Sequence, residues 1–529
     1  MSTGDAAIAG AALERPFPKA IGGVRNARLQ MLRGLAALSV ALYHASILME
    51  QTGRAVFHPV FDGRFGLYGV AVFFAISGYL MANLAQSGQA WTFLIHRIIR
   101  IYPAFLLVVG LAFALSRIAG TPFTFDPLGL TLIPAGTRSY PLGVEWTLVF
   151  EIAFYVLVFL IIVARLQRHI PIIALAWIGA ILLAEGWAPP QENGILLAPY
   201  WLLLSPTNLA FAGGLLVPTL LRRGFAPVLG LAICVAVATY EALAGPVIER
   251  WLGALLATGV AAWAADEGHR ARWPLLGRAL NKLGDWSYAL YLWHVPAILT
   301  VYKIWPHHDL GAGAWLTALA FALAGAALIG PVDVHLYHRL KSVVAASALR
   351  RLRLAGIAFL TAFVAISGST SYTAFRETRE AERAERTLAA IGAQALVDPA
   401  FAASRIEEAG LGLPPTVNGV LEQVDRLPTG HLAVRGWALD HADPAQRIRL
   451  IASCGGTRAT PAFVSRRWRR DIAQSIGRPE FANQRIGFTL VLPPTKDCRA
   501  GVPIFVLAFD PQGRAGVVPG IVTVPSGEN

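Results

Sequence analysis

Apolar residues fill long stretches of the first 371 positions, each bounded by charged or turn-forming residues. The stretches cover about 29–49, 65–84, 95–116, 143–164, 171–187, 200–221, 226–243, 248–265, 283–303, 313–337 and 352–371. A bilayer crossing takes about 17–25 apolar residues, so the pattern predicts eleven transmembrane helices. The pattern then changes. Residues 374–395, AFRETREAERAERTLAAIGAQA, predict a charged exposed helix or stalk, and a linker bearing Pro and Gly reaches about 418. Residues 419–529 alternate apolar and polar positions in short runs such as HLAVRGWAL, GFTLVLP and VPIFVLAF, punctuated by Gly and Pro. That period predicts a small C-terminal β-sandwich. The expected architecture is a mostly α, polytopic helical bundle carrying this β domain. Its parts are an N-terminal segment (1–28), a membrane core (29–340), a loop and eleventh helix (341–373), the stalk and linker (374–418) and the sandwich (419–529).

Composition agrees with membrane residence. The 529 residues are 55% hydrophobic and only 15% charged, with a mean hydropathy of +0.53. Soluble domains carry about 25% charged residues. The net charge of +13 does not indicate nucleic acid, because the basic residues lie in short loops that orient helices. With the N-terminus in the cytoplasm, inner segments hold Arg15, Lys19, Arg25, Arg28 and Arg33, then Arg97 and Arg100, Arg165 and Arg168, and Arg222 and Arg223. They continue with Arg270, Arg272, Arg278 and Lys282, then Arg339, Lys341, Arg350, Arg351 and Arg353. Outer loops hold only Arg54, Arg64, Arg117, Arg138, Arg250 and Lys303. An odd number of spans puts the C-terminal domain outside. The first apolar run is long enough to span and is followed by many more, which argues against a cleavable signal peptide.

The candidate chemistry lies within the apolar runs. His44 sits in LQMLRGLAALSVALYHASILM, with Arg33 eleven residues earlier, about 16 Å along one helix axis. An ionisable group at membrane depth is costly unless paired, so it reads as functional, against the alternative of a hydrogen-bonded packing histidine. Arg97 and Arg100 in HRIIRIYP share one helix face at the level of Arg33. Three such arginines fit phosphate binding, against ordinary positive-inside anchoring. Glu151 lies inside the fourth helix with Tyr155 one turn on, whereas Glu145 reads as solvated near the outer surface. Tyr288, Tyr291 and His294 form a polar stripe on the ninth helix, and Asp285 and Ser287 read as caps. His44, Glu151 and His294 come out about 9, 12 and 14 Å below the outer boundary, one shared level. These two layers predict a two-ended cavity. A donor with phosphates at one end and a thioester at the other, as in coenzyme A, fits it. His44 would be the base for an acceptor hydroxyl, Glu151 would orient the imidazole, and His294 would complete the network or bind the acceptor. An acyl-histidine intermediate is the other mechanism. The set asks for no metal ion. Cys454 and Cys498 share the outer domain, either as a disulfide or as two buried thiols, and Cys234 reads as packing.

The segments RGLAALSVALYHA, GVAVFFAISGYLMA, HRIIRIYPAFL, WTLVFEIAFY and LGDWSYALYLWH, in this order, resemble acyltransferase family 3 over about residues 28–340. That family comprises integral-membrane enzymes that O-acylate surface glycans, antibiotics and related acceptors. The resemblance implies a ten-helix acyltransferase core, with His44 as the active-site base and Arg97 and Arg100 as the paired-arginine element. Arg33, Ser77, Gly78, Glu151 and His294 match other recurrent positions. It further implies acyl-CoA, foremost acetyl-CoA, as donor and a glycan or glycolipid as acceptor. The implied setting is the inner (plasma) membrane and its lipid, beside polysaccharide-assembly proteins.

Many members carry a serine-hydrolase-like outer domain, but no Gly-Asp-Ser motif occurs in 375–529. Instead GWALD (436–440), RRDIA (469–473) and IGFTLVLP (486–493) resemble a small β domain found beside glycan-processing enzymes. Arg466, Arg467, Arg469 and Arg470 would then meet an anionic glycan or form a solvated basic turn. Two other classes compete with the enzyme: a transporter or flippase using intramembrane His and Glu as a proton relay, and a sensor with an outer ligand-binding domain.

Overall fold

A computed structural model describes residues 26–50, 57, 60–119, 123, 126–187 except 137 and 139, 198–224, 249–266, 276–306, 310–391 and 398–526. Within the last range, 428–430, 444–447, 460–462, 468, 483, 485, 493–494, 511–512 and 521 are not described. The membrane part contains α1 (Ala27–Glu50), α2 (Gly63–Ala85), α3 (Ala90–Ile118), α4 (Trp146–Val163), α5 (Ile170–Trp187) and α6 (Leu209–Arg222). It continues with α7 (Glu249–Ala265), α8 (Leu276–Asp285), α9 (Ser287–Ile304), α10 (Ala312–Ala346) and α11 (Leu349–Ile391). Among the described residues, seven helices are long and apolar enough to cross a membrane: α1 to α5, α10 and α11. Their outward faces carry exposed Ile172, Leu183, Leu328 and Val364, as lipid contact requires.

The remaining expected spans differ for local reasons. The stretch expected as one helix from 200 opens instead with two 3₁₀ turns, Pro199–Leu204 and Pro206–Asn208, each led by proline, so α6 starts only at Leu209. Proline has no N–H to continue a helical ladder and sits comfortably in a first turn. The stretch expected at 283–303 breaks at Trp286 into α8 and α9. α9 is diluted in hydropathy by the polar residues it turns inward, including buried Tyr291 and His294. The helix expected at 226–243 lies outside the described residues.

α10 runs past its expected end near 337 to Ala346, and α11 absorbs the predicted stalk as one 43-residue helix. Its second half, rich in Ala, Glu, Arg and Leu and free of Pro and Gly after Gly368, gives the helix no reason to stop. The boundaries expected at 341 and 374 therefore fall inside helices, and the expected linker contains α12 (Pro399–Glu408).

Small residues set the helix crossings. Gly78 of α2 lies against the Phe211 carbonyl and the Gly214 Cα of α6, and Gly214 lies against the Ala75 carbonyl. Any β-carbon at either position would collide with backbone, so the two helices meet as closely as glycine allows. Phe154 of α4 stacks on Phe211 at 3.9 Å and closes the same contact from the other side.

The C-terminal domain contains β1 (Val417–Arg426), β2 (Leu432–Asp440), β3 (Arg449–Cys454), β4 (Thr457–Ala459), β5 (Phe463–Arg467), α13 (Arg470–Ser475), β6 (Gly487–Leu492), β7 (Pro503–Phe509), β8 (Ala515–Val517) and β9 (Val522–Thr523). One antiparallel sheet has the order β1-β2-β6-β5; the other has β4-β3-β7-β8, with β9 also paired to β7. Val417, Val434 and Leu490 of the first sheet share an apolar core with Leu450, Ile504 and Val506 of the second. The end of α11 docks on the second sheet, where Ala381, Ala384 and Leu388 meet Ile451, Phe505 and Leu507. Glu377 and Arg449 add an ion pair at 2.7 Å.

Cys454 and Cys498 form a disulfide across 44 residues of sequence. Closing a loop of that length constrains the unfolded chain by about 4 kcal/mol in the loop-entropy account. The double variant Cys454→Ala/Cys498→Ala is expected to lower the C-terminal domain's melting temperature. Calorimetry showing an unchanged transition would contradict that.

Candidate active site

α1, α2, α3, α4, α9 and α10 enclose a cavity of about 240 Å³. Arg33, Arg97 and Arg100 line it together with Ser77, Glu151, Tyr155, Tyr288, Tyr291 and Tyr337. Phe73, Phe74 and Met81 supply apolar wall. The i, i+3 spacing of Arg97 and Arg100 sends both guanidinium groups off one face of α3, as helical geometry requires. The three arginines are held differently. Arg100 Nη1 donates to both Asp333 carboxylate oxygens, at 3.1 and 3.0 Å, and its guanidinium lies over the rings of Tyr288 (4.9 Å) and Tyr337 (5.5 Å). Arg33 donates to the Gln30 side-chain oxygen at 3.3 Å. Gln30 is tied in turn to Asp285 at 3.0 Å. Arg97 lies over Tyr155, and its buried Nε–H has no partner among the described residues. Among the lining residues three guanidinium groups face one carboxylate, Glu151, so the lining is net positive.

His44 and His294 meet directly, with His44 Nδ1 3.1 Å from His294 Nε2. The surrounding carbonyls settle the protons. His294 Nδ1 lies 3.0 Å from the Leu290 carbonyl, which can only accept, so this nitrogen carries the proton and a neutral ring leaves Nε2 bare. His44 Nδ1–H then donates to that Nε2 and to the Val40 carbonyl at 3.0 Å. His44 Nε2 is left with a free lone pair. His294 is fully buried, whereas His44 is half-buried.

Tyr291 links the pair to the cavity. It lines the cavity, and its ring centroid is 5.9 Å from that of His294. Its hydroxyl meets Thr147 Oγ1 at 2.7 Å and donates to the Val144 carbonyl at 3.2 Å. The loop carrying Val144 is clamped by Glu145, whose carboxylate accepts from the Leu142 and Val144 backbone N–H groups at 2.7 and 3.0 Å. Glu145 is thus fully buried rather than solvated, because it replaces the backbone partners that this tight loop cannot supply itself.

The expected site residues separate into two groups. The arginines, Ser77, Glu151, Tyr155, Tyr288 and Tyr291 share the cavity; His44 and His294 pair beside it. Glu151 does not orient His44. Its Oε1 accepts from Tyr155 at 2.6 Å and from Ser77 at 3.5 Å, which places it among the arginines. The level expected to be shared by His44, Glu151 and His294 brings only the two histidines together; Glu151 lies with the arginines instead. Gly78 touches α6 rather than the cavity, and so positions its neighbour Ser77. In the C-terminal domain Arg469 is neutralised by Glu422 (2.7 Å) and Asp471 (2.9 Å), and Arg470 is exposed. The side chains of Arg466 and Arg467 lie outside the described residues. Asp333, Tyr337 and Gln30 were not foreseen; a lone carboxylate within the apolar run of α10 was the available signal for Asp333.

Residues 26–331 match the family model described as an acyltransferase domain, that of acyltransferase family 3. The chain belongs to acyltransferase family 3. It is 30% identical over 330 residues to the exopolysaccharide production protein ExoZ of Rhizobium meliloti (strain 1021), covering 55% of this chain and 90% of the relative. It is 27% identical over 342 residues to the acyltransferase MdmB of Streptomyces mycarofaciens, covering 58% and 87%. A shorter match, 32% over 160 residues, is to nodulation protein 10 of Rhizobium leguminosarum bv. viciae, covering 25% and 43%. No solved structure matches the chain. Family membership and the apolar helices together make this family 3 member a multi-pass membrane acyltransferase.

Proposed function

We propose that this acyltransferase moves an acetyl or other short acyl group from acyl-CoA to a hydroxyl of an exported or surface glycan. The observation that carries the reading is the His44–His294 pair standing beside a net-positive, arginine-lined cavity. The donor's phosphates pair with Arg33, Arg97 and Arg100, since guanidinium groups bind phosphate through charge-assisted hydrogen bonds. The acceptor hydroxyl loses its proton to His44 Nε2 as its oxygen attacks the thioester carbonyl. The tetrahedral intermediate collapses, the C–S bond breaks, and the departing thiolate takes the proton back from His44. The products are an ester and free CoA thiol. His294 stabilises the transient imidazolium by accepting the His44 Nδ1–H bond, the part a carboxylate plays in hydrolase triads.

Positive-inside loop charges support a donor site facing the cytoplasm and an outer domain across the inner membrane. The name of the first relative, an exopolysaccharide production protein, supports a glycan acceptor. The outer β domain then holds or positions that acceptor. Mass spectrometry of surface and exported glycans from cells with and without the protein tests this. Ester-linked acyl groups present only with the protein are expected, and identical spectra would contradict the assignment.

A further inference from the structure

We propose that Asp333 is a positioning residue of the donor site: it holds Arg100 so that the free edge of that guanidinium faces the donor's phosphates. The inference rests on the acyl-CoA reading above. Asp333 is buried, at 3% exposure, on α10. A guanidinium carries five N–H bonds in a planar fork. Arg100 turns Nη1 to Asp333 at 3.1 and 3.0 Å, which leaves Nε–H and the Nη2 pair. The same side chain lines the cavity and keeps 23% of its surface exposed.

Rotation of the fork is restricted by Tyr288 and Tyr337, 4.9 and 5.5 Å away. Tyr288 is itself held by donating to the Ile101 carbonyl at 3.0 Å. The register of α10 is set one turn earlier, where the Trp286 ring packs against Gly330 in space no side chain could share. Among the described residues Arg33 has one long bond to Gln30, and Arg97 has an unpartnered Nε–H. One arginine is therefore pre-oriented while two adjust to the ligand. Pre-orientation lowers the ordering cost of binding, so its loss is read in donor affinity. The residues matched to the family model end at 331, so Asp333 and Tyr337 lie beyond it.

An ion pair that merely tied α3 to α10 would behave differently, and kinetics separate the two roles. The full-length protein in nanodiscs, supplied with the exported polysaccharide as acceptor, is assayed for CoA thiol release from acetyl-CoA, with CoA binding measured in parallel. Asp333→Asn is expected to raise the KM for acetyl-CoA about tenfold. Its kcat is expected to stay within about twofold. Asp333→Glu is expected to recover most of the loss. In an Arg100→Lys background, Asp333→Asn is expected to change KM little, because it acts through Arg100. A fall in kcat at unchanged KM, or the same KM rise in the Arg100→Lys background, would overturn the proposal. Should Asp333→Asn fail to accumulate, Tyr337→Leu carries the same comparison: a KM rise confined to the Arg100 background supports the clamp, and any other result overturns it. A wild-type protein that neither binds CoA nor releases it would overturn the donor reading and the clamp together. Normal wild-type turnover with an unaffected Asp333→Asn would overturn the clamp alone.

Discussion

His44→Ala is expected to lower acyl transfer by a factor on the order of 10³ while leaving acyl-CoA binding nearly unchanged. The two effects separate because the arginines proposed to meet the donor line the cavity and His44 does not. Removing the imidazole removes the only lone pair that the carbonyls of Val40 and Leu290 leave free in the pair. His294→Phe is expected to cost less, on the order of 10²-fold, since His44 Nε2 survives and only the stabilisation of its charged form is lost. Stopped-flow or thiol-release kinetics with a parallel CoA-binding titration check both. Equal losses in binding and turnover would mean that the histidines hold the bundle together rather than act on the acceptor.

The largest expected effect on stability comes from Gly78→Leu. The glycine of α2 touches the backbone of α6 at Phe211 and Gly214, so four added carbons have no space without driving the helices apart. Overpacking of this kind costs on the order of 3 kcal/mol or more. Phe154, stacked on Phe211, would have to shift with it, which spreads the damage to α4. The variant is expected to disappear from membrane extracts or to melt well below the wild type by fluorescence-detected size exclusion. A Gly78→Leu protein with wild-type yield and melting would refute the close α2–α6 crossing.

The helices were legible in the sequence wherever hydropathy and local stops agreed, as for α1 to α5. They were less so where proline delayed a start, as at Leu209. The break at Trp286 falls between Asp285 and Ser287, the residues read as caps, and a neighbouring wall of α10 at Gly330 holds the indole there. The stalk was read as helical, but its continuity with α11 depends on the absence of any breaker across 369–391. In the site, the arginine pair was legible because i, i+3 spacing is a property of one helix. The meeting of His44 and His294, 250 residues apart, was legible only as a shared depth. Rotation about each helix axis then decided that His294, and not Glu151, faces His44. Asp333 was illegible for the same reason: its partner lies 233 residues away on another helix. Glu145 misled because a carboxylate near a helix start normally faces water, whereas here it substitutes for backbone partners inside a loop.

Acyl transfer at the histidine pair is tested with radiolabelled acetyl-CoA. Membranes bearing either the wild type or His44→Ala, matched for protein level, are supplied with the exported polysaccharide, and alkali-labile label in the polysaccharide is counted over time. Steady incorporation is expected with the wild type and almost none with His44→Ala; equal incorporation by the two would rule out transfer at the histidine pair.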